Sequence, residues 1–133
     1  MRFARAWLPV ILWSAVILMA STDSFSSNES RGWLASVFGP ELADALNITV
    51  RKLGHVVAYG VLGVLAWRAD RRLVVAICIA LIVAVTDETR QSMTLLRTGS
   101  PWDVLLDVTA AWLGIMLLIR AGMRWPKLQP PRS

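Results

Sequence analysis

The apolar run Leu73-Val-Val-Ala-Ile-Cys-Ile-Ala-Leu-Ile-Val-Ala-Val85 leads almost directly into the charged segment Asp87-Glu88-Thr-Arg90-Gln91. An uncharged run of this kind predicts a membrane-spanning helix, and here it ends in two carboxylates, a guanidinium and an amide. Ionisable groups beside hydrocarbon are costly unless they are paired, and they commonly mark functional sites in membrane proteins. We therefore interpret this junction as the mouth of a membrane span and the centre of a candidate site.

The composition of the 133-residue chain indicates a membrane protein. Hydrophobic residues make up 56% of it, occur in blocks, and give a mean hydropathy of +0.54. The net charge of +5 does not lead us to predict a nucleic-acid partner, because the basic residues cluster beside the apolar blocks as membrane anchors do. Cys78 is the only cysteine, which excludes an intramolecular disulfide, and its apolar surroundings predict a buried side chain.

The apolar blocks predict an all-α fold, a bundle of four transmembrane helices at about residues 6–21, 53–68, 72–89 and 102–120. The first block follows a basic start and so also resembles a signal peptide. Trp7, Trp13 and the poor cleavage site at Ala20-Ser21 favour a retained helix.

The segment between the first two spans predicts a long exoplasmic loop. Residues 21–30 are rich in serine, and apolar residues then recur at helical spacing over residues 33–46, with Pro40 among them. Because proline interrupts helices, we predict one or two short helices here, lying on the membrane surface. Residues 1–122 are predicted to form a single membrane domain, and residues 123–133 a basic, proline-rich cytoplasmic tail.

The distribution of basic residues predicts the orientation in the cell membrane. Four spans place nine lysines and arginines on the side of the two termini and five on the other side. Loops rich in Lys and Arg remain in the cytoplasm, so both termini are predicted to be cytoplasmic. The long first loop and the Asp87–Gln91 segment then face outward.

Counting along the helices places three ionisable residues at one level. His55, Asp87 and Asp107 lie 13, 15 and 13 residues from a cytoplasmic arginine. These arginines are, respectively, Arg68, Arg72 and Arg120. At about 1.5 Å per residue, each of the three side chains starts roughly 20 Å above its anchor. Side chains at this depth avoid lipid by facing inward, so we predict that they converge on one pocket open to the outside.

Helical spacing extends this set of side chains. Lys52, His55 and Tyr59 share one helical face, as do Asp103 and Asp107, because their members are three or four residues apart. The candidate ligand-binding residues are Lys52, His55, Tyr59, Asp87, Glu88, Gln91, Arg97, Asp103 and Asp107. The sequence has no Ser-His-Asp elbow, HExxH helix or Cys/His metal pattern, and we predict neither a cofactor nor a metal.

A purely structural role is the alternative for each of these residues. Asp103 with Arg97, and Glu88 with Arg90, would then be interfacial ion pairs that only stabilise the bundle. His55 would form a hydrogen bond to a neighbouring helix. The predicted convergence of His55, Asp87 and Asp107 at one level favours a functional site.

Four sequence elements carry a resemblance to a known family. They are Lys52-Leu-Gly-His55-Val-Val-Ala-Tyr59-Gly-Val-Leu62-Gly63, then Asp87-Glu88 with Gln91, then Arg97, and finally Asp103-Val-Leu-Leu-Asp107 in a helix that includes Gly114. These elements resemble the VanZ-like family, whose pattern is K-x-x-H-x-x-x-Y-x-x-L-G followed by D-E-x-x-Q-x5-R-x5-D. The chain departs from that pattern at Asp107, where the family often has Asn, and at Ala110, where it often has Gly. The resemblance implies a multi-pass bacterial membrane protein linked to glycopeptide (teicoplanin) resistance, without a defined mechanism.

Three functions remain open at this stage. The first is a non-enzymatic protein whose pocket binds a polar lipid headgroup or a cell-wall precursor, with Arg51, Lys52 and Arg97 on phosphate and the acids on hydroxyl or amine groups. The second is a membrane hydrolase or transferase, with His55 or Glu88 as general base. A divalent cation bound by the carboxylates would be compatible with this enzymatic function. The third is a lipid or ion transporter. The oligomeric state is not predicted.

Overall fold

The computed structural model describes residues 2–21, 32, 35–93 and 100–122, and this part of the chain is helical with no strand. Four helices follow one another, α1 (Arg2–Ala20), α2 (Pro40–Asp70), α3 (Leu73–Ser92) and α4 (Pro101–Arg120). The prediction of an all-α fold is confirmed. Residues 22–30 of the Ser-rich segment, Arg97 and the basic tail lie outside the described residues.

A two-residue turn joins α2 to α3. Arg71 adopts a left-handed conformation with φ of 59°, and its backbone N–H donates to the carbonyl of Trp67 over 2.7 Å, which ends α2. Its guanidinium lies 4.4 Å from the centre of the Trp67 ring. Arg72 is extended and directly precedes α3, so the chain reverses and the two helices run antiparallel.

The start of α2 differs from the prediction. We expected Pro40 to interrupt short surface helices and a span to begin near residue 53, but Pro40 instead opens one continuous 31-residue helix. Proline is well tolerated in the first turn of a helix, where its missing N–H has no intrahelical partner to lose. At about 1.5 Å per residue the helix is roughly 46 Å long, which exceeds the thickness of a bilayer core. Helical residues 35–38 precede it.

The closest helix contact is between α2 and α4, and glycine makes it possible. A Cβ atom built on Gly63 would lie 2.8 Å from Cα of Ala111, and one built on Gly114 would lie 3.0 Å from Cα of Gly60. Both obstructing groups are backbone, which cannot rotate away. Small residues at such crossings let helices approach within lipid, and α2 packs against the other three helices as well.

Small side chains fill the interior and large apolar ones cover the outside. The buried alanines are Ala43, Ala66, Ala76, Ala80, Ala84, Ala110 and Ala111. Exposed large side chains include Leu8, Ile11, Val57, Val74, Ile82 and Leu117, each more than half exposed. This distribution is typical of helices that pack in a bilayer, because such an apolar exterior is unfavourable in water. Cys78 is also exposed, so its predicted burial was wrong.

Two of the described helices, α2 and α4, are long and apolar enough to cross a membrane. Residues 4–20 of α1 form a shorter apolar helix that packs on the bundle. The indole Nε1 of Trp13 donates to the carbonyl of Ala58 on α2 over 2.9 Å, and Val10 and Ile17 are buried in the core. The first apolar block is thus part of the folded bundle.

Candidate functional site

A polar cavity of ≈ 80 Å³ lies where the N-terminal half of α2, the end of α3 and the start of α4 meet. Its lining combines side chains from all three helices, namely Ile48, Arg51, Lys52, His55, Glu88, Gln91, Asp103, Leu106 and Asp107. A volume of this size holds several water-sized groups. The cavity therefore has room for one small polar group of a ligand.

The floor of the cavity is a pair between His55 and Asp107. Nδ1 of His55 lies 3.3 Å from Oδ2 of Asp107, and in the Nδ1-protonated tautomer the imidazole donates to the carboxylate. The Asp107 side chain is only 3% exposed, while His55 is 27% exposed. Oδ1 of Asp107 has no hydrogen-bond partner among the described residues, and Nε2 of His55 is not used in this contact. The floor thus has unused hydrogen-bonding capacity.

Tyr59 supports the floor from one helical turn further along α2. Its ring stacks on the His55 imidazole, with centroids 6.0 Å apart and planes 21° from parallel. Tyr59 is fully buried, and within the described chain its hydroxyl has no hydrogen-bond partner. The tyrosine therefore fixes the imidazole by packing rather than by lining the cavity.

The rim of the cavity carries the exposed charges. Nζ of Lys52 lies 3.9 Å from Oδ1 of Asp103, and their side chains are 60% and 41% exposed. A long ion pair between exposed groups contributes little to stability, so both side chains can exchange this contact for another at small cost. Arg51 borders the same opening, and Ile48 and Leu106 add an apolar edge.

The wall formed by α3 is held by hydrogen bonds to two neighbouring segments. Glu88 accepts a hydrogen bond from the backbone N–H of Ser100, which fixes the carboxylate beside the start of α4. The amide nitrogen of Gln91 donates to Oδ2 of Asp87 over 2.9 Å and to Oγ of Ser21 over 2.7 Å. Asp87 is almost completely buried, and its Oδ1 is unpartnered within the described part of the chain.

Arg90 connects α3 to the end of α1. Its guanidinium donates to the carbonyl of Leu18 over 2.8 Å, which places a positive charge at a helix C-terminus. The alternative ion pair of Glu88 with Arg90 is absent from the described residues, where each side chain has another partner. Together with Gln91 and Ser21, this contact ties α1 to the wall of the cavity.

The structure brings most of the predicted site residues together, although their role in ligand binding stays a prediction. Those that line the cavity are Lys52, His55, Glu88, Gln91, Asp103 and Asp107. Tyr59 and Asp87 are buried behind the lining, and Arg97 lies outside the described residues. Sequence reasoning missed Ile48 and Leu106. Ile48 continues the face of Lys52 at i+4 spacing, a signal that was lost because α2 was not predicted to be continuous there.

The arrangement suits recognition of a zwitterion, a group that carries both a positive and a negative charge. The rim offers cations that bind anions, and the floor and wall offer carboxylate oxygens that accept hydrogen bonds. No group of three or more His, Cys, Asp or Glu side chains in the described chain is placed to hold a metal ion.

Comparison with known proteins gives one result. No curated protein and no solved structure shows a significant match to the chain. The family model described as VanZ/LLP1, however, matches residues 6–122, which is nearly the whole chain and includes all the cavity-lining residues. The chain therefore belongs to the VanZ/LLP1 family.

Proposed function

We propose that the chain is a four-span membrane protein with cytoplasmic termini, whose outward-facing cavity binds a polar lipid headgroup or a related cell-envelope ligand. The exposed large side chains on all four helices support the membrane setting. Arg68, Arg71 and Arg72 cluster at the opposite end of α2 from the cavity, which supports the orientation. His55 lies 13 residues from Arg68, or roughly 20 Å along the helix, a level that suits headgroups of the outer leaflet.

The observation that carries this proposal is the paired floor of the cavity, His55 on Asp107. Burying two ionisable groups costs desolvation free energy, and an apolar pair of similar size would stabilise the bundle at least as well. Stability alone therefore does not account for them. A ligand that forms hydrogen bonds with the remaining imidazole and carboxylate atoms would account for the presence of the pair.

The rim supplies the complementary charge for a phosphate. Lys52 and Arg51 border the opening, and the long contact between Lys52 and Asp103 leaves the ammonium able to bind a phosphate oxygen. Arg97 is a predicted third contact. Because lipid-linked cell-wall precursors also carry phosphate, sequestering or shielding them is the route by which such a protein would lower sensitivity to glycopeptides.

Lipid retention by the purified protein tests the proposal. Native mass spectrometry of the wild type, of a Lys52→Ala, His55→Ala double variant and of Asp70→Asn, a change in the distant α2–α3 turn, measures bound lipid per chain. We expect a saturable lipid in the wild type and in Asp70→Asn, and at least a tenfold loss in the double variant, equivalent to about 1.4 kcal/mol or more. Equal retention by all three proteins would refute binding in this cavity.

A second candidate is a membrane hydrolase or transferase that acts on a lipid-linked substrate. The observation that favours it is the orientation of His55, whose Nδ1 faces a buried carboxylate as in enzymes that use the other ring nitrogen as general base. Turnover of a lipid-linked phosphate ester by the purified protein, abolished in His55→Gln, would support this candidate. Absence of turnover with lipid retention intact would favour binding alone.

A further inference from the structure

The Asp107 side chain brings a buried hydrogen-bond acceptor to the lining of the cavity. Asp107 lines the cavity, is 2% exposed, and uses Oδ2 for His55 while Oδ1 has no partner in the described chain. A buried carboxylate oxygen without a hydrogen bond is unfavourable, so a hydrogen-bond donor supplied by a ligand would stabilise this side chain. Glu88 places a second carboxylate on the same lining.

The charges are ordered by depth. Lys52 and Asp103 form the exposed rim, whereas His55 and Asp107 lie one helical turn further in on the same two helices. Three or four residues of helix correspond to about 5 to 6 Å. The cavity therefore presents Lys52, Arg51 and Asp103 at its opening and the carboxylate of Asp107 below them, separated by the length of one short chemical link.

We propose that the ligand carries a primary ammonium joined to a phosphate by a short link, the chemistry of an aminophospholipid headgroup. The inference rests on the proposed function and specifies its ligand. The ammonium donates to Oδ1 of Asp107 and is neutralised by the carboxylates of the lining. The phosphate lies at the rim, where Lys52 and Arg51 contact it.

Other common headgroups satisfy this arrangement less well. A trimethylammonium group has the charge but no N–H, so it cannot donate to the buried oxygen of Asp107. The hydroxyls of a phosphoglycerol headgroup can donate, but they bring no positive charge to offset the carboxylates. A primary ammonium supplies both the N–H donor and the positive charge. The cavity therefore discriminates between headgroups by the group beyond the phosphate.

Competition between lipids tests the inference. The wild-type protein is reconstituted in phosphatidylcholine nanodiscs that contain a minor fraction of phosphatidylethanolamine or phosphatidylglycerol, and the lipids retained after extraction are counted by native mass spectrometry. We expect phosphatidylethanolamine to be enriched roughly tenfold over the other two. Asp107→Asn should abolish that enrichment, and Asp70→Asn, the same change at a partly exposed site at the distant end of α2, should preserve it. Soluble glycerophosphoethanolamine in a parallel arm shows by displacement whether the headgroup alone is recognised.

The outcomes separate this inference from the proposed function. If all three lipids are retained equally and Lys52→Ala reduces them all, a headgroup site exists but the ammonium assignment is wrong. If enrichment persists in Asp107→Asn while that variant folds as the wild type does, the assignment to Asp107 is overturned. If no lipid is retained saturably by any protein, both proposals are refuted.

Discussion

Replacing Gly63 by alanine should separate α2 from α4, the two helices that hold the floor of the cavity. The new Cβ would overlap the carbonyl oxygen of Ala111 and lie 2.8 Å from its Cα, whereas ordinary contact begins near 3.4 Å, so the helices must move apart by more than about 0.6 Å at this crossing. The obstructing atoms are backbone and cannot rotate away. In the same interface, the Cβ added by Gly114→Ala would lie 3.0 Å from Cα of Gly60.

The magnitude follows from two opposing effects. Overpacking a close-packed interface typically costs about 1–3 kcal/mol. Alanine in place of glycine within a helix contributes about 0.5–1 kcal/mol of stability. Gly54 provides a matched control, because it lies on the same helix and a Cβ there meets nothing within 4 Å. The difference between Gly63→Ala and Gly54→Ala thus isolates the steric cost, which we expect to be about 1–3 kcal/mol.

Equilibrium unfolding in detergent, followed by circular dichroism, measures this difference. Gly54→Ala should match or exceed the wild-type stability, and Gly63→Ala should fall below it. The double variant Gly63→Ala, Gly114→Ala should cost less than the sum of its parts, because both changes open the same interface. If Gly63→Ala and Gly54→Ala unfolded at the same denaturant concentration, the close approach of α2 and α4 would be refuted.

Three further predictions concern individual contacts. A double-mutant cycle of His55→Ala and Asp107→Ala should give a coupling of about 1–3 kcal/mol in unfolding, and a value near zero would show that the pair is not formed. Arg90→Ala should accelerate hydrogen exchange at the C-terminal turn of α1, whereas Thr89→Ala, whose hydroxyl bonds within α3, should not. Cys78 should resist a water-soluble maleimide in intact membranes and react once the protein is unfolded in denaturant, because a thiol in hydrocarbon does not ionise, and rapid labelling in intact membranes would place this part of α3 outside the bilayer.

The sequence predicted three helices to within a few residues, because uncharged blocks bounded by arginines and prolines leave little choice of limits. The start of α2 was not predicted, since Pro40 is compatible both with a break and with a first turn. Only the packing of residues 40–52 distinguishes the two, and Ala43, buried in the structure, gives no signal in the sequence.

Part of the site could be predicted from the sequence because helical spacing fixes which residues share a face of a helix. His55 and Asp107 were predicted at one level from their distance to arginines, and the structure places them 3.3 Å apart. The bonds of Gln91 to Ser21 and of Glu88 to Ser100 were not predictable, because they join segments whose relative position depends on tertiary packing. Such contacts have no periodic signature in a single sequence.

His55 is the only histidine of the chain, and this permits the most direct test of the cavity as a headgroup site. Solid-state NMR of protein with ¹⁵N-labelled histidine, reconstituted in lipid extracted from the expressing cells, measures dephasing of the imidazole nitrogens by lipid ³¹P. We predict dephasing that corresponds to roughly one helical turn, about 5 Å, between imidazole and phosphorus. The signal should disappear in Lys52→Ala. Imidazole nitrogens that show no phosphorus within reach, in wild-type protein that is folded and embedded in bilayers, would contradict the account.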